Sequence, residues 1–313
     1  MFPWKSGIFL IIGLVMIIKG ADFFTEVAVW FAKRFGIPQV LIGVTIVSLA
    51  TTLPEFSVSV MASYAGYTSM AFGNAIGSCI CNIGLILGVV LMIRSFEVKR
   101  EDIAFRGVYL ILVAVSLFIM SLNFTITRLN GVLLVLFLVG FIYFIYKEIS
   151  SLRFKERKVQ EEVEDKPISK QILIFILSAV LIVLGSNLIV DSGVILAEHF
   201  GVPEIIISIT LIALGTSLPE LTTAVTAALK GHQDLSIGNI IGANLLNLTW
   251  VLGLSSIVRP VTIGEQSLFI DLPVMILLTL VLVLFSFFKK ELGKKEGLVF
   301  LLIYTSFIMY TIL

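Results

Sequence analysis

Long apolar runs alternate with short polar stretches along the whole chain, and ten of these runs are long enough to cross a membrane as helices. A helix rises about 1.5 Å per residue, so roughly 20 apolar residues span a hydrocarbon core of about 30 Å. The ten runs lie at about residues 7–31, 38–65, 70–93, 103–122, 129–146, 172–196, 203–229, 235–257, 268–288 and 297–313. This pattern predicts an all-α polytopic membrane protein with ten transmembrane helices.

A single polar linker divides the apolar runs into two groups of five. Residues 147–170 are dense in lysine, arginine and glutamate, whereas residues 1–146 and 171–313 each hold five predicted helices. The halves also share a repeat, because residues 34–55 align without a gap on residues 199–220, with ten identities in twenty-two positions. An odd number of helices makes the second half enter the membrane from the opposite side. We therefore predict two inverted five-helix repeats joined by the linker.

Composition and charge agree with a membrane protein. Of the 313 residues 58% are hydrophobic and 14% are charged, whereas about 25% are charged in soluble domains. The net charge of +1 gives no sign of a nucleic-acid partner. If the helices alternate, 18 of the 22 lysines and arginines, the linker included, lie on one side and three on the other. The positive-inside rule then predicts a multi-pass plasma-membrane protein with a cytoplasmic linker and both termini outside.

The repeat carries two motifs that bring polar groups into the apolar runs. Residues 50–55 (ATTLPE) recur as residues 215–220 (GTSLPE), and residues 73–78 (GNAIGS) recur as residues 238–243 (GNIIGA). Proline has no N–H to donate, so Pro54 and Pro219 must break or kink their helices and free backbone carbonyls. A carboxylate near the middle of a membrane helix costs about 3 kcal/mol, which makes Glu55 and Glu220 functional candidates.

Around the two glutamates, spacings of three and four residues place further oxygen atoms on the same helical faces. The candidate ligands are Ser48, Thr51, Thr52, Glu55, Ser78, Asn82, Ala213 through its carbonyl, Thr216, Ser217, Glu220 and Asn247. This set is all oxygen, with no matching lysine, arginine, histidine or thiolate, and such a site selects hard cations. Flexible ligation by up to about eight oxygens suits Ca²⁺ better than Mg²⁺. The same oxygens could also hold Na⁺.

These motifs resemble those of the cation/calcium exchanger superfamily, and the chain is similar to its compact prokaryotic sodium/calcium exchangers. The resemblance covers nearly the whole chain. It implies a secondary active antiporter, not an enzyme, that exchanges Ca²⁺ for Na⁺ by alternating access, with the first and sixth helices sliding across the others. No cofactor is expected besides the transported ions. We expect the lipid bilayer as environment and a monomer as the simplest assembly.

The resemblance also implies roles for individual residues. Glu55 and Glu220 would be the principal calcium ligands. The carbonyls of Ser48 and Ala213 and the hydroxyls of the candidate threonines and serines would complete the calcium and sodium sites, and the two asparagines would fill the remaining polar positions. The chain departs from the pattern at Ala243, where the family usually has serine, so one sodium site is expected to be built differently.

A second departure lies at Asn247, where some archaeal members have aspartate. The site then holds two carboxylates, which balance one Ca²⁺ without a bound proton. A proton/calcium exchanger and a K⁺-dependent exchanger remain alternatives on the same scaffold. A membrane-embedded hydrolase and a channel are disfavoured, because the duplicated proline motif has no purpose in a hydrolase and an inverted repeat suits alternating access.

Four other polar residues in or near the apolar runs have simpler interpretations. We expect Asp22 and Glu26 to be interfacial, solvated or paired with Lys19. Asn74 and Asn239, at equivalent places in the second motif, are expected either to cap or cross-link helices or to contribute to the site.

Overall fold

The structure, a computed structural model, describes residues 3–97, 100–155, 165–200 and 215–312, and nearly all of them are helical. The helices are α1 (Pro3–Phe35), α2 (Gln39–Thr51), α3 (Leu53–Ala65), α4 (Thr68–Ile93), α5 (Arg100–Ser121), α6 (Arg128–Lys155), α7 (Ile168–His199), α8 (Leu218–Leu229), α9 (Gln233–Val258), α10 (Ser267–Phe288) and α11 (Lys294–Ile312). Helices α2, α4, α9 and α10 each contain a π-helical turn, at Gly43–Val47, Cys81–Leu87, Asn247–Val251 and Ser267–Asp271.

Six of the described helices are long and apolar enough to cross a membrane: α1, α4, α6, α7, α9 and α10. Helices α2 and α3 make a seventh candidate if they are one span, since they meet at a bend of 47°. The fourth predicted segment has a shorter apolar helix, Phe105–Ser121. The first part of the seventh predicted segment, residues 203–214, lies outside the described ranges. The helix of the tenth predicted segment, α11, begins with charged residues from Lys294 onward. The ten-helix arrangement therefore stays a prediction.

Four two-residue strands join helix ends in two antiparallel pairs. β1 (Phe96–Glu97) follows α4 and pairs with β4 (Glu291–Leu292), which precedes α11. β2 (Thr125–Ile126) follows α5 and pairs with β3 (Val261–Thr262), which follows α9. Each pair thus joins a loop of the first half of the sequence to a loop of the second half.

The two strand pairs mark opposite ends of the molecule. Arg94 and Lys289 flank the β1–β4 pair, and we call this the basic end. Gly231, between α8 and α9, lies against Arg94, whereas Gly66, between α3 and α4, lies against Arg259 beside the β2–β3 pair. Both glycines have positive φ, 84° and 98°, which other residues adopt only with strain. Helices α3 and α8 therefore end in the same way at opposite ends.

Helices α4 and α9 form the centre of the molecule and are buried along most of their length. The backbones of α2 and α9 touch at Gly43 and Gly238. A methyl group at either position would collide with the facing backbone. Helices α1 and α7 pack on each other in a second cluster, and Gly13 and Gly185 bring their backbones into contact in the same way. Small residues allow this close approach of helices within a membrane.

An ion pair fixes α1 to the end of α8. The Lys230 Nζ atom lies 3.2 Å from Asp22 Oδ1 and 2.9 Å from Glu26 Oε1, and it also donates to the Asp22 carbonyl at 3.3 Å. The two acidic residues are thus partly exposed, as expected, but their partner is Lys230, whereas the sequence analysis named Lys19 as the possible partner. Burial by itself would lower the pKa of Lys230, but the hydrogen bonds and charges of the two carboxylates hold this pKa above its ordinary value.

We expect Lys230→Gln to lower the melting temperature in detergent by about 1–3 °C, since ion pairs of this exposure contribute roughly 0.2–1 kcal/mol. A lysine with a raised pKa contributes stability below its ordinary pKa of 10.5 and loses it only as the pH rises through the higher folded-state value. The difference between the variant and the wild type should therefore be equal at about pH 6 and about pH 9. It should shrink in about 1 M choline chloride, which screens charges.

The matched control for this experiment is Lys290→Gln, an exposed lysine at the same end of the molecule. It should leave the melting temperature unchanged. Equal effects of the two substitutions would show that the ion pair of Lys230 does not fix α1.

Candidate cation site

Both proline motifs start a helix two residues before a glutamate. In the first half, Thr52 lies at the bend between α2 and α3, and Pro54 occupies the first turn of α3, where its missing N–H costs nothing. In the second half, Pro219 occupies the first turn of α8 in the same way. The break predicted at Pro54 is confirmed. As a result, Glu55 and Glu220 both lie in the first turn of a helix, where the helix dipole favours negative charge.

The two carboxyl groups are fully buried and close enough for their charges to repel each other. Glu220 Oε1 accepts a hydrogen bond of 3.3 Å from Thr52 Oγ1. Among the described residues, the other three carboxylate oxygens, both of Glu55 and Oε2 of Glu220, have no hydrogen-bond partner. Buried carboxylates are normally paired or bound to a metal, because leaving them without partners costs several kcal/mol.

The threonine of each motif is held by an asparagine of the opposite half. Thr51 Oγ1 donates to Asn239 Oδ1 at 3.2 Å, and Thr216 Oγ1 donates to Asn74 Oδ1 at 3.4 Å. Asn74 also donates to the carbonyl of Glu55 at 3.2 Å. The two asparagines therefore cross-link helices, which was one of the roles expected from the sequence. Since each hydroxyl proton can point at an amide oxygen, the oxygen lone pairs stay available for a cation.

Three serines complete the hydroxyl groups of the site. The carbonyl of Ser48 accepts from the Thr52 N–H at 2.9 Å and lies 3.3 Å from Thr51 Oγ1, while the Ser48 hydroxyl donates to the carbonyl of Val44 at 2.8 Å. Across the two halves, Ser217 Oγ donates to Ser78 Oγ at 3.4 Å. Ala213, the candidate that would contribute a backbone carbonyl, lies outside the described residues.

Two asparagines lie in the π-helical turns of the central helices, and both are fully buried. Asn82 Nδ2 donates to Asn244 Oδ1 at 3.0 Å, whereas Asn82 Oδ1 has no hydrogen-bond partner in the described part of the chain. Neither amide atom of Asn247 has a partner there either. Sequence reasoning missed Asn244, because its equivalent in the first half is Cys79. Its three-residue spacing from Asn247 was the available signal.

The substitution at Ala243 explains why the two glutamates differ. In the first half, Ser78 accepts a hydrogen bond from Ser217. The equivalent acceptor for Thr52 would be a residue at position 243, but Ala243 has no hydroxyl, and Thr52 donates to Glu220 instead. Glu55 is therefore left with two free oxygens and Glu220 with one.

The donor set of this centre is suited to a hard cation. Its unpartnered atoms belong to four buried residues, Glu55, Glu220, Asn82 and Asn247. The described residues include no group of three or more histidine, cysteine, aspartate or glutamate side chains that could hold a metal ion. Any further ligands of a cation here would be neutral hydroxyl, amide and carbonyl oxygens, the set that the sequence analysis proposes. Such oxygen-rich sites bind Ca²⁺, Na⁺ and similar ions.

A cavity of about 630 Å³ lies beside the two motifs. It is lined by Thr216 and the two prolines of the motifs and by α7, including Asn187 and Asp191. Helix α7 starts at the basic end, where Asp165 pairs with Arg34 at 3.5 Å. Asp191 is thus on the half of α7 remote from the basic end.

Comparison with known proteins identifies the family. A family model described as sodium/calcium exchanger protein matches residues 5–147 and 170–313. Sodium/calcium exchanger MaX1 of Methanosarcina acetivorans is 31% identical over 338 aligned positions that cover 96% of each chain. The putative antiporter CaxA of Alkalimonas amylolytica is 33% identical over 309 positions, covering 96% of this chain and 97% of the relative. A solved structure of the sodium-calcium exchanger NCX_Mj, soaked with 10 mM Na⁺ and 10 mM Sr²⁺, matches with a TM-score of 0.85 at 26% identity over 97% of both chains. The chain therefore belongs to the sodium/calcium exchanger family.

Proposed function

We propose that this protein is a secondary active antiporter that exchanges Ca²⁺ for Na⁺ by alternating access at the site between Glu55 and Glu220. The observation that carries the proposal is the set of buried, unpartnered atoms of Glu55 and Glu220, in the first turns of α3 and α8, and of Asn82 and Asn247, in the π-helical turns of α4 and α9. Irregular backbone, such as the bend at Thr52, is tolerated at membrane depth only inside protein or beside a wet cavity. Family membership and the likeness to NCX_Mj support the same function.

In the proposed mechanism, one set of oxygens serves both ions in turn. The two carboxylates would neutralise one Ca²⁺, with Ser48, Thr51, Thr52, Thr216, Ser217, Ser78, Asn82, Asn247 and the carbonyl of Ala213 completing the calcium and sodium sites. Since the same oxygens hold either Ca²⁺ or Na⁺, the two ions exclude each other. Asn247 carries no charge, so no proton is needed for the calcium-bound site to be neutral.

We further propose that the chain forms ten helices as two inverted repeats, with the basic end and the linker in the cytoplasm and both termini outside. The strand pairs support this arrangement, because they join loops whose positions agree with strict alternation of the helices. The end of α3 at Gly66 and the equivalent end of α8 at Gly231 lie at opposite ends of the molecule, as inversion requires.

The two equivalent helices α7 and α1 have different surroundings. The cavity along α7 runs past the motifs from Phe175 to Asp191. On the other side, the equivalent acidic residue of α1, Glu26, is bound by Lys230. We infer that sliding of α1 and α7 past the other helices exchanges access to the site between the two sides of the membrane.

The decisive test is calcium uptake into proteoliposomes loaded with Na⁺ and diluted into Na⁺-free buffer. Wild-type protein should take up Ca²⁺ only with an outward Na⁺ gradient. Glu55→Gln and Glu220→Gln should each reduce uptake by at least about 100-fold, since each removes one of two charges that face a divalent ion. The matched control is Glu265→Gln, an exposed glutamate in the loop before α10, which should transport normally.

The outcomes of this experiment separate the alternatives. Uptake driven by an imposed pH gradient or by K⁺ would contradict sodium coupling and favour a proton/calcium or K⁺-dependent exchanger. No uptake under any gradient would refute calcium transport.

A second prediction concerns Ala243. An added hydroxyl in Ala243→Ser would lie by Thr52 as Ser78 lies by Ser217, so it would accept the proton of Thr52 and release Glu220 Oε1. One hydrogen bond is worth about 0.5–1.5 kcal/mol, so the half-saturating Na⁺ concentration should fall about 2- to 10-fold. The reciprocal variant Ser78→Ala, which makes the first half like the second, should raise it. Shifts in the same direction for both variants in Na⁺ titrations of transport would contradict this interpretation.

A further inference from the structure

The central helices α4 and α9 touch at two equivalent positions of the repeat, Cys79 and Asn244. Asn244 Nδ2 donates to the carbonyl of Cys79 at 3.4 Å, and Cys79 Sγ lies 3.6 Å from the carbonyl of Asn244. Both side chains are buried, with 1% of each residue exposed. Each of the two side chains thus contacts the backbone carbonyl of the other residue.

This contact fixes the orientation of the Asn244 side chain. A backbone carbonyl only accepts hydrogen bonds, so the NH₂ group of Asn244 must face Cys79 and its oxygen must face the other way. That oxygen is 3.0 Å from Asn82 Nδ2, so Asn82 has to donate to it. Asn82 Oδ1 is therefore turned away from Asn244, and it is the buried amide oxygen without a hydrogen-bond partner in the described residues.

The equivalent amide in the second half has no such support. The position that corresponds to Asn244 is Cys79, and a thiol is a weak donor and acceptor that cannot replace an amide. Accordingly, neither Oδ1 nor Nδ2 of Asn247 is hydrogen bonded in the part of the chain that the structure describes. Asn82 and Asn247 are equivalent in sequence, but the amide orientation of Asn82 is fixed by a hydrogen bond to Asn244 and that of Asn247 is not fixed by any hydrogen bond within the described residues.

We propose that Asn244 is a positioning residue that holds the amide of Asn82 with its oxygen directed at the transported cation. The inference rests on the proposed function, since it assigns the cation to the site between Glu55 and Glu220. A fixed oxygen binds a cation without the entropic cost of ordering a free side chain, and the wrong orientation would present an NH₂ group to a positive charge. Asn244 thereby sets the affinity for the cation while making no contact with it.

The test uses Asn244→Cys, which gives both halves the same residue, and the exchange variant Cys79→Asn combined with Asn244→Cys. The two side chains are similar in volume, so the exchange conserves packing. We measure the concentration of Ca²⁺, Sr²⁺, Na⁺ or K⁺ that gives half of the maximal thermal stabilisation of the purified protein. Asn244→Cys should raise this concentration about 5- to 20-fold for the stabilising cation, with little change in the melting temperature of the cation-free protein.

The exchange variant should recover most of the affinity, because the introduced asparagine would orient Asn247 as Asn244 orients Asn82. A wild-type concentration in Asn244→Cys would overturn the proposal. So would a raised concentration that the exchange fails to recover, since that is the result of a packing defect alone. If Asn244→Cys does not fold, the single variant Cys79→Asn tests the inference. It adds a second oriented amide and should lower the half-saturating cation concentration. An unchanged concentration would overturn the inference.

The cation panel separates this inference from the proposed function. Stabilisation of wild-type protein by K⁺ but not by Ca²⁺ or Na⁺ would refute sodium/calcium exchange and still test Asn244 with K⁺. Stabilisation by none of the four cations would overturn both.

Discussion

The structure depends on a single electrostatic constraint, the burial of two carboxylates between apolar helices. Glu55 and Glu220 are shielded from solvent, and three of their four oxygens have no hydrogen-bond partner among the described residues. Such groups are costly unless a positive charge is bound. Their compensations within the described fold include the helix N-termini on which they lie and the hydroxyl of Thr52. A bound cation would offset this cost, and this is the physical basis of the proposed transport site.

The second constraint is that neither half of the chain makes the site alone. Five interactions among the ligands and their partners cross from one half to the other: Thr51 with Asn239, Thr216 with Asn74, Ser217 with Ser78, Thr52 with Glu220 and Asn82 with Asn244. Of these, the contact of Thr51 with Asn239 joins α2 and α9, whose backbones approach at glycines where a methyl group would collide with backbone. A small displacement of one half against the other would thus change the ligands of the cation together.

Much of this site could be predicted from the sequence, because the signals are local. A glutamate after a proline in an apolar helix indicates both the break and the functional carboxylate, and the break at Thr52 is present. Other features depend on packing between distant segments. The partner of Asp22 and Glu26 is Lys230, more than two hundred residues away, and Asn244 was hidden because the other half has Cys79 at the equivalent position. No periodicity along the chain reports such contacts.

Divergence of the two repeats has made the halves of the site unequal. Ala243 removes one hydroxyl, which redirects Thr52 to Glu220 and leaves Glu55 with both oxygens free. Cys79 removes one amide, which leaves Asn247 without the support that Asn82 receives. Both losses therefore separate ligands that a symmetric duplication would have made equivalent. A divalent cation between the carboxylates needs both halves at once, whereas monovalent cations in the two halves would meet different ligands. In an unequal site of this kind, the two halves would offer the first Na⁺ ion two positions of different affinity. In a strictly symmetric site, the two positions would have the same affinity for the first ion.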